Sequence, residues 1–207
     1  MEQPQPKVDS DQTKPLRIAV LISGGGTTLH NLLAKQAAGE LPAEVVCVVS
    51  SSPNAKGNEF ATAADIPLHI VQRRECETAT DFRDAVFLPC KDASAELIVM
   101  GGFLKHVLIP AEFEKRVINI HPSLLPKYGG KGFYGMRVHQ AVIDNHETES
   151  GCTVHFVDEK FDNGPVILQR KVEVLPDDTA QTLAARIFEQ ECIALPDAIR
   201  QIAQSTR

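Results

Sequence analysis

The hexapeptide Val117-Ile118-Asn119-Ile120-His121-Pro122 constrains this chain most. Its β-branched, apolar character predicts a short buried strand, and side chains two apart on a strand point to the same face, so Asn119 and His121 lie side by side. Pro122 has no N–H for a sheet ladder and ends the strand there. An amide and an imidazole in a buried strand carry a desolvation cost unless something satisfies them. In open α/β sheets the carboxyl end of a strand is where ligands bind. Neighbouring backbone could satisfy the two groups as well, and the hexapeptide alone leaves both readings open.

The rest of the chain supplies the sheet. Arg17–Ile22, Glu44–Ser50 and Leu97–Met100 are apolar runs of strand length, and Pro67–Val71 is a shorter one. Helical patterns fall between them at Leu29–Gln36, Asn58–Ala64, Thr80–Leu88 (interrupted by Pro89) and Met136–Asn145. A final helix spans Thr179–Glu191 and is kinked or restarted at Pro196. Thr153–Val157 and Val166–Val174 read as two strands joined by a loop. The alternation predicts an α/β, Rossmann-like, mostly parallel sheet with helices on both faces and an antiparallel C-terminal hairpin. The 207 residues predict a single domain over 16–207, preceded by a flexible polar tail over 1–15. That opening has no apolar core, so it does not read as a signal peptide, and no apolar run approaches the roughly 18–20 residues of a membrane span. Five scattered cysteines without C-x-x-C spacing argue against a disulfide framework or a zinc knuckle and fit a reducing, cytoplasmic setting. A net charge of -6 argues against nucleic acid as a partner, but amides at a helix start can still hold a small anion.

Such a start follows the first strand. Ser23-Gly24-Gly25-Gly26-Thr27-Thr28 opens a helix with unpaired backbone N–H groups, where Thr27 and Thr28 can cap the helix and bond a phosphate. It is not a Walker loop. The third glycine of a dinucleotide fingerprint falls on Leu29, and the second strand ends in Ser50-Ser51-Ser52, where a ribose-binding acid would stand. A phosphate site for a mononucleotide is the expectation. Downstream, Asp158–Pro165 is a turn-forming loop. If it folds across the carboxyl end of the sheet, Asp162 reaches His121, and a carboxylate there favours the imidazolium. No nucleophile elbow or metal-ligand spacing occurs, and His69, His139, His146 and His155 read as surface or structural. An Asn–His–Asp set without a nucleophile suits a reaction in which one substrate attacks the other, with the enzyme supplying an oxyanion donor and a proton.

Four segments in order, S-G-G-G-T-T, G-G-F-L-K-H, N-I-H-P-S-L-L-P-K-Y and F-D-N-G-P-V-I-L-Q, resemble the phosphoribosylglycinamide formyltransferases of the folate-dependent formyltransferase family. The similarity runs from about Arg17 to about Ala203. The resemblance implies transfer of a formyl group from 10-formyltetrahydrofolate, as co-substrate, to the amine of glycinamide ribonucleotide in purine biosynthesis, with no metal. It implies phosphate binding by Gly26, Thr27 and Thr28, and catalysis by Asn119, His121 and Asp162. Glu191 would hold the glycinamide end. The folate would lie against Leu104, Lys105, His106 and Val107 and against Asp158, Glu159, Lys160, Phe161 and Asp162. The N-terminal half would then bind phosphate and the C-terminal half folate. Three features depart from the family pattern. No arginine aligns securely after the third strand, where Arg73, Arg74, Arg83 and Thr78 compete. The loop Gly129–Gly135 is long and glycine-rich, a lid or a structural variation. Lys105 stands where Arg is frequent. A formyltetrahydrofolate hydrolase, another folate-dependent formyltransferase such as the methionyl-tRNA enzyme, and a non-catalytic nucleotide-binding module are the competing readings.

Overall fold

The computed structural model describes residues 14–205, so residues 1–13 of the predicted tail lie outside it. Seven strands form one sheet: β1 (Leu16–Ile22), β2 (Ala43–Ser50), β3 (Leu68–Ile70), β4 (Leu97–Met100), β5 (Val117–His121), β6 (Glu149–Phe156) and β7 (Val166–Glu173). Their spatial order is β3-β2-β1-β4-β5-β6-β7. The first five are parallel, and β6 and β7 add antiparallel to the β5 edge. The five helices are α1 (Thr27–Ala37), α2 (Asn58–Ala63), α3 (Ala79–Asp92), α4 (Met136–Asp144) and α5 (Ala180–Ser205).

Strand alternation divides the core into two layers. Ile18, Val20 and Ile22 of β1 pack with Leu29 and Leu32 of α1, Val142 of α4, and Leu183, Ile187, Leu195 and Ile199 of α5. The intervening Ala19 and Leu21 face Phe82, Val86, Phe87 and Cys90 of α3. Each large side chain removed from water in this way contributes about 1.5–3 kcal/mol, which is why the central strands read as continuous apolar runs. A bulge slips the β1–β2 register between Ile18 and Ala19, so Val45 and Val48 meet one layer and Cys47 and Val49 the other.

Three sequence expectations are corrected. Pro89 lies inside α3 and Pro196 inside α5, and neither interrupts its helix. Pro196 cannot donate to the carbonyl of Cys192 four residues earlier; Asn31 of α1 takes that acceptor through Nδ2 at 3.0 Å. The helix runs on because another element supplies the missing donor. β6 begins at Glu149, four residues before the expected Thr153. A Cβ on Gly151 of this strand would stand 2.0 Å from the carbonyl oxygen of Arg170 on β7, so the glycine permits a close strand approach.

The chain crosses from β1 outward to β2 on one side and to β4 on the other, a topological switch point that opens a crevice at the strand carboxyl ends. The loops after β1 and β4 meet there: Ser23 Oγ accepts the Leu104 N–H at 2.9 Å and the Ser51 hydroxyl at 2.7 Å. Gly26 has φ +69°, and a Cβ on it would lie 2.3 Å from Gly57 Cα. This glycine is therefore dictated by backbone crossing, whatever else it does.

At the start of α5 the Asp178 carboxylate accepts both guanidinium nitrogens of Arg186 (2.7 and 2.8 Å), the Leu175 N–H (2.8 Å) and the Thr182 hydroxyl (2.8 Å). The Arg186 bonds lead in holding its carboxyl well below the usual carboxylate range. Asp178→Asn is expected to cost about 2–3 kcal/mol at neutral pH. A depressed folded-state pKa gives stability that is full above about pH 4 and drains away as pH falls below it. Urea melts of wild type and variant should differ at pH 7 and converge towards pH 2–3; a gap independent of pH would refute the ionic origin.

Candidate active site

A cavity of about 420 Å³ occupies the crevice, within the usual size of small-molecule sites. Asn119, His121, Thr27, Thr28, Glu191, Asp158, Lys160, Phe161, Asp162 and the segment Leu104–Val107 all line it. Two candidates do not. Gly26 is turned into its contact with Gly57, and Glu159 stays outside the lining. Thr27 and Thr28 form the first turn of α1 rather than its cap; the cap position is Gly26, and no side chain bonds that helix start. The first-turn N–H groups remain available to an anion.

Asn119 and His121 project from the same face of β5, as strand geometry requires. His121 is buried at 4% exposure, and its Nε2–H donates to the Tyr128 carbonyl at 2.8 Å. That bond fixes the ring with Nδ1 directed at Asp162 Oδ1, 3.6 Å away. Asp162 is in the left-handed region at φ +52° and is held by the Gly130 N–H on Oδ2 at 2.9 Å. Tyr128, just before the glycine-rich loop, and Gly130 within it thus anchor the two groups through their backbone. Gly129 lies between the two anchors, and a Cβ there would meet Leu125 Cδ2 at 2.4 Å, so that leucine side chain would have to shift. Tyr128 is pinned in turn by its hydroxyl on Glu147 Oε1 at 2.9 Å, and Lys127 bonds the same carboxylate.

The turn from Ser123 to Lys127 is equally constrained. The Thr153 hydroxyl donates to the Ser123 carbonyl at 2.6 Å and accepts the Leu125 N–H at 3.0 Å, while Gln169 Nε2 donates to the Leu125 carbonyl at 2.9 Å. In the loop that carries Asp162, Asp158 shapes the chain by accepting the Lys160 N–H at 2.8 Å. Gly164 closes that loop where a Cβ would be 1.9 Å from the Phe156 carbonyl oxygen. The rings of His106 and Phe161 meet at 4.8 Å, joining the two segments expected to hold folate. Lys105 and Lys160 are exposed lining residues.

Two histidines read from sequence as surface or structural belong to the cavity wall. His155 is 2% exposed and stands opposite Asn119 in the β5–β6 register. Its Nδ1–H donates to its neighbour's carbonyl, Phe156, at 2.8 Å, and its Nε2 lies 3.2 Å from Asn119 Nδ2 and 3.7 Å from Asp162 Oδ1. Burial lowers its pKa. His139 of α4 is 5% exposed, and its Nδ1 meets no hydrogen-bond partner. Burial, then the nearby His121, lowers its pKa to about 4. The available signal was the alternation Cys152-Thr153-Val154-His155, which puts two polar side chains on the face opposite the apolar pair. Its meaning depends on a pairing that one strand does not reveal.

Arg73, Arg83 and Thr78 are engaged elsewhere. Arg73 bonds the Cys76 carbonyl at 2.8 Å, Arg83 pairs with Asp84 at 2.7 Å, and Thr78 caps α3 in a reciprocal box with Asp81. None of these, nor Arg74, lines the cavity. Among the described residues no group of three His, Cys, Asp or Glu is placed to hold a metal ion, and no helix is long and apolar enough to cross a membrane.

Residues 16–199 match the family model described as formyl transferase. The chain belongs to the formyl transferase family. It is 37% identical over 187 residues to phosphoribosylglycinamide formyltransferase of Haemophilus influenzae, covering 89% of this chain and 85% of that protein. It is 38% identical to the chloroplastic phosphoribosylglycinamide formyltransferase of Vigna unguiculata, where the match covers 84% of this chain but 57% of the relative. Among solved structures, glycinamide ribonucleotide transformylase 1 from Symbiobacterium toebii superposes with a TM-score of 0.85 at 33% identity, covering 93% of this chain and 90% of that one. The formyltransferase fold expected from the sequence is the one observed: a mostly parallel sheet with helices on both faces and antiparallel C-terminal strands.

Glu191 faces the cavity from α5, one residue before the Cys192 carbonyl that Asn31 holds. Burial pushes its carboxyl up to about 7. The unfolded chain releases this proton nearer pH 4, so stability falls as pH rises from there through 7. Glu191→Gln is expected to match wild type near pH 5 and to exceed it at pH 8 by on the order of 2 kcal/mol. Thermal melts at the two pH values check this, and equal melting shifts would contradict it.

Proposed function

We propose that this protein transfers the formyl group of 10-formyltetrahydrofolate to the amine of glycinamide ribonucleotide, as its formyltransferase relatives are named for doing. The observation that carries the reading is the convergence of Asn119, His121 and Asp162 on one cavity that Thr27 and Thr28, in the uncapped first turn of α1, also line. The phosphate would rest on the N–H groups and hydroxyls of Thr27 and Thr28, with Gly26 shaping the turn. Glu191 would hold the glycinamide end. The folate would lie along Leu104, Lys105, His106 and Val107 and against the loop of Asp158, Glu159, Lys160, Phe161 and Asp162. The ribonucleotide would thus depend mainly on the N-terminal half and the folate loop on the C-terminal half.

The amine lone pair attacks the formyl carbon, and the carbonyl electrons move onto oxygen. Asn119 and His121 donate hydrogen bonds to that oxyanion, the charge such sites are built to meet. Collapse re-forms the carbonyl and breaks the bond to the folate nitrogen. That nitrogen takes up a proton as the attacking amine gives one up, and His121 is the group placed to pass it. The Tyr128 carbonyl holds His121 Nε2–H, so Nδ1, facing Asp162, carries a proton only in the imidazolium. Asp162 orients and balances that form.

His121→Ala is expected to lower kcat by about 10²–10³-fold with little change in KM for the ribonucleotide. Thr27→Ala should raise that KM and largely spare kcat. Steady-state kinetics with both substrates checks the pair; equal effects on both parameters in both variants would contradict the assigned roles. Formylated product should form only when glycinamide ribonucleotide is present. Folate turnover without it would identify a hydrolase instead.

A further inference from the structure

We propose that His155 is a positioning residue for formyl transfer, acting through Asn119 by fixing which way its amide faces; this rests on the reaction assigned above. A carbonyl oxygen only accepts, so the 2.8 Å contact with the Phe156 carbonyl places the ring proton of His155 on Nδ1. Nε2 is then a lone pair, and the group 3.2 Å from it on Asn119 must be the NH₂. One N–H of the amide is spent on His155. The second N–H of the same planar group is left for a ligand oxygen in the cavity that Asn119 lines. A flipped amide would set its carbonyl oxygen against the Nε2 lone pair, so the wrong orientation loses a bond and gains a repulsion.

The arrangement requires a neutral His155, and its surroundings oppose its charging. The ring is 2% exposed, and His121 on β5 adds repulsion. Asp162 and Asp158 on the loop after β6 and the Phe156 carbonyl act in the opposite sense, and burial outweighs them. A proton on Nε2 would point at the Asn119 NH₂ and break the alignment. His155 therefore serves as an acceptor, although a carboxylate lies 3.7 Å from it.

The test is a double-mutant cycle. His155→Leu is expected to lower kcat about 10–100-fold, with KM for each substrate within about twofold. His155→Gln, which can offer an acceptor oxygen near the Nε2 position, should recover at least half of that loss on a logarithmic scale. In an Asn119→Ala background, adding His155→Leu should change kcat by less than about twofold, because the group it orients is gone. A loss just as large in that background, or full activity of His155→Leu, would overturn the proposal. So would failure of both single variants to show a cooperative melt, which would make the role structural. Wild type is assayed alongside: its turnover tests the assigned reaction independently of the variants, and a wild type without formyl transfer would remove that reading and this one together.

Discussion

The antiparallel pairing of β5 with β6 is the constraint on which the site depends. In its register Asn119 faces His155 and His121 faces Thr153. Thr153 clamps the turn from Ser123 to Leu125, that turn delivers the Tyr128 carbonyl to His121, and the following Gly130 N–H holds Asp162. A slip of one residue would turn these polar side chains to the other face and put Cys152 and Val154 in their place. Burial of that apolar pair in the layer beneath α5 is what forbids the slip. The core thus sets the chemistry indirectly: packing fixes register, and register brings the polar groups together.

What the sequence made legible follows the same division. The β5 and β4 limits agree with their apolar runs, and the shared face of Asn119 and His121 needed only period-two geometry. The approach of Asp162 to His121, across 41 residues, was a possibility that the loop geometry realises. His155 was missed because its partner is a cross-strand neighbour, and His139 because a histidine on a helix gives no sign of what its buried face meets. In both cases burial excludes the surface reading, and what each ring meets lies in another element. The glycine-rich loop was legible as unusual, yet what meets His121 and Asp162 is the Tyr128 carbonyl just before it and the Gly130 N–H within it, backbone groups that any residue except proline carries.

The prolines show the same limit from another side. Local rules end a helix at Pro196, and the rule is sound for an isolated chain because the Cys192 carbonyl loses its donor. Asn31, 161 residues away, restores that bond and ties α1 to α5 beside Glu191. The bond joins α1 to α5, so the residue that keeps the last helix continuous also holds together the two helices expected to contact the ribonucleotide. The Gly26–Gly57 crossing does comparable work at the other end of the turn: it lets the loops after β1 and β2 pass in contact, and α1 begins where the crevice opens.

Besides the exposed His106, three buried imidazoles, of His121, His139 and His155, line the cavity, and each meets different neighbours. Desolvation disfavours the cationic form of His139 and of His155. One carboxylate, Asp162, lies within 3.7 Å of two of the rings, but the Nε2 of His155 is committed as an acceptor to Asn119. The ring with a carboxylate available to balance a charge is therefore His121, whose other nitrogen already gives its proton to a carbonyl. On the proposed reading, the burial that makes polar groups costly here would divide the roles: His121 would move a proton and His155 orient an amide, while His139 keeps a buried nitrogen unsatisfied by the protein. Such a division needs no difference in residue type. It arises from which face each ring buries and which single neighbour each nitrogen meets.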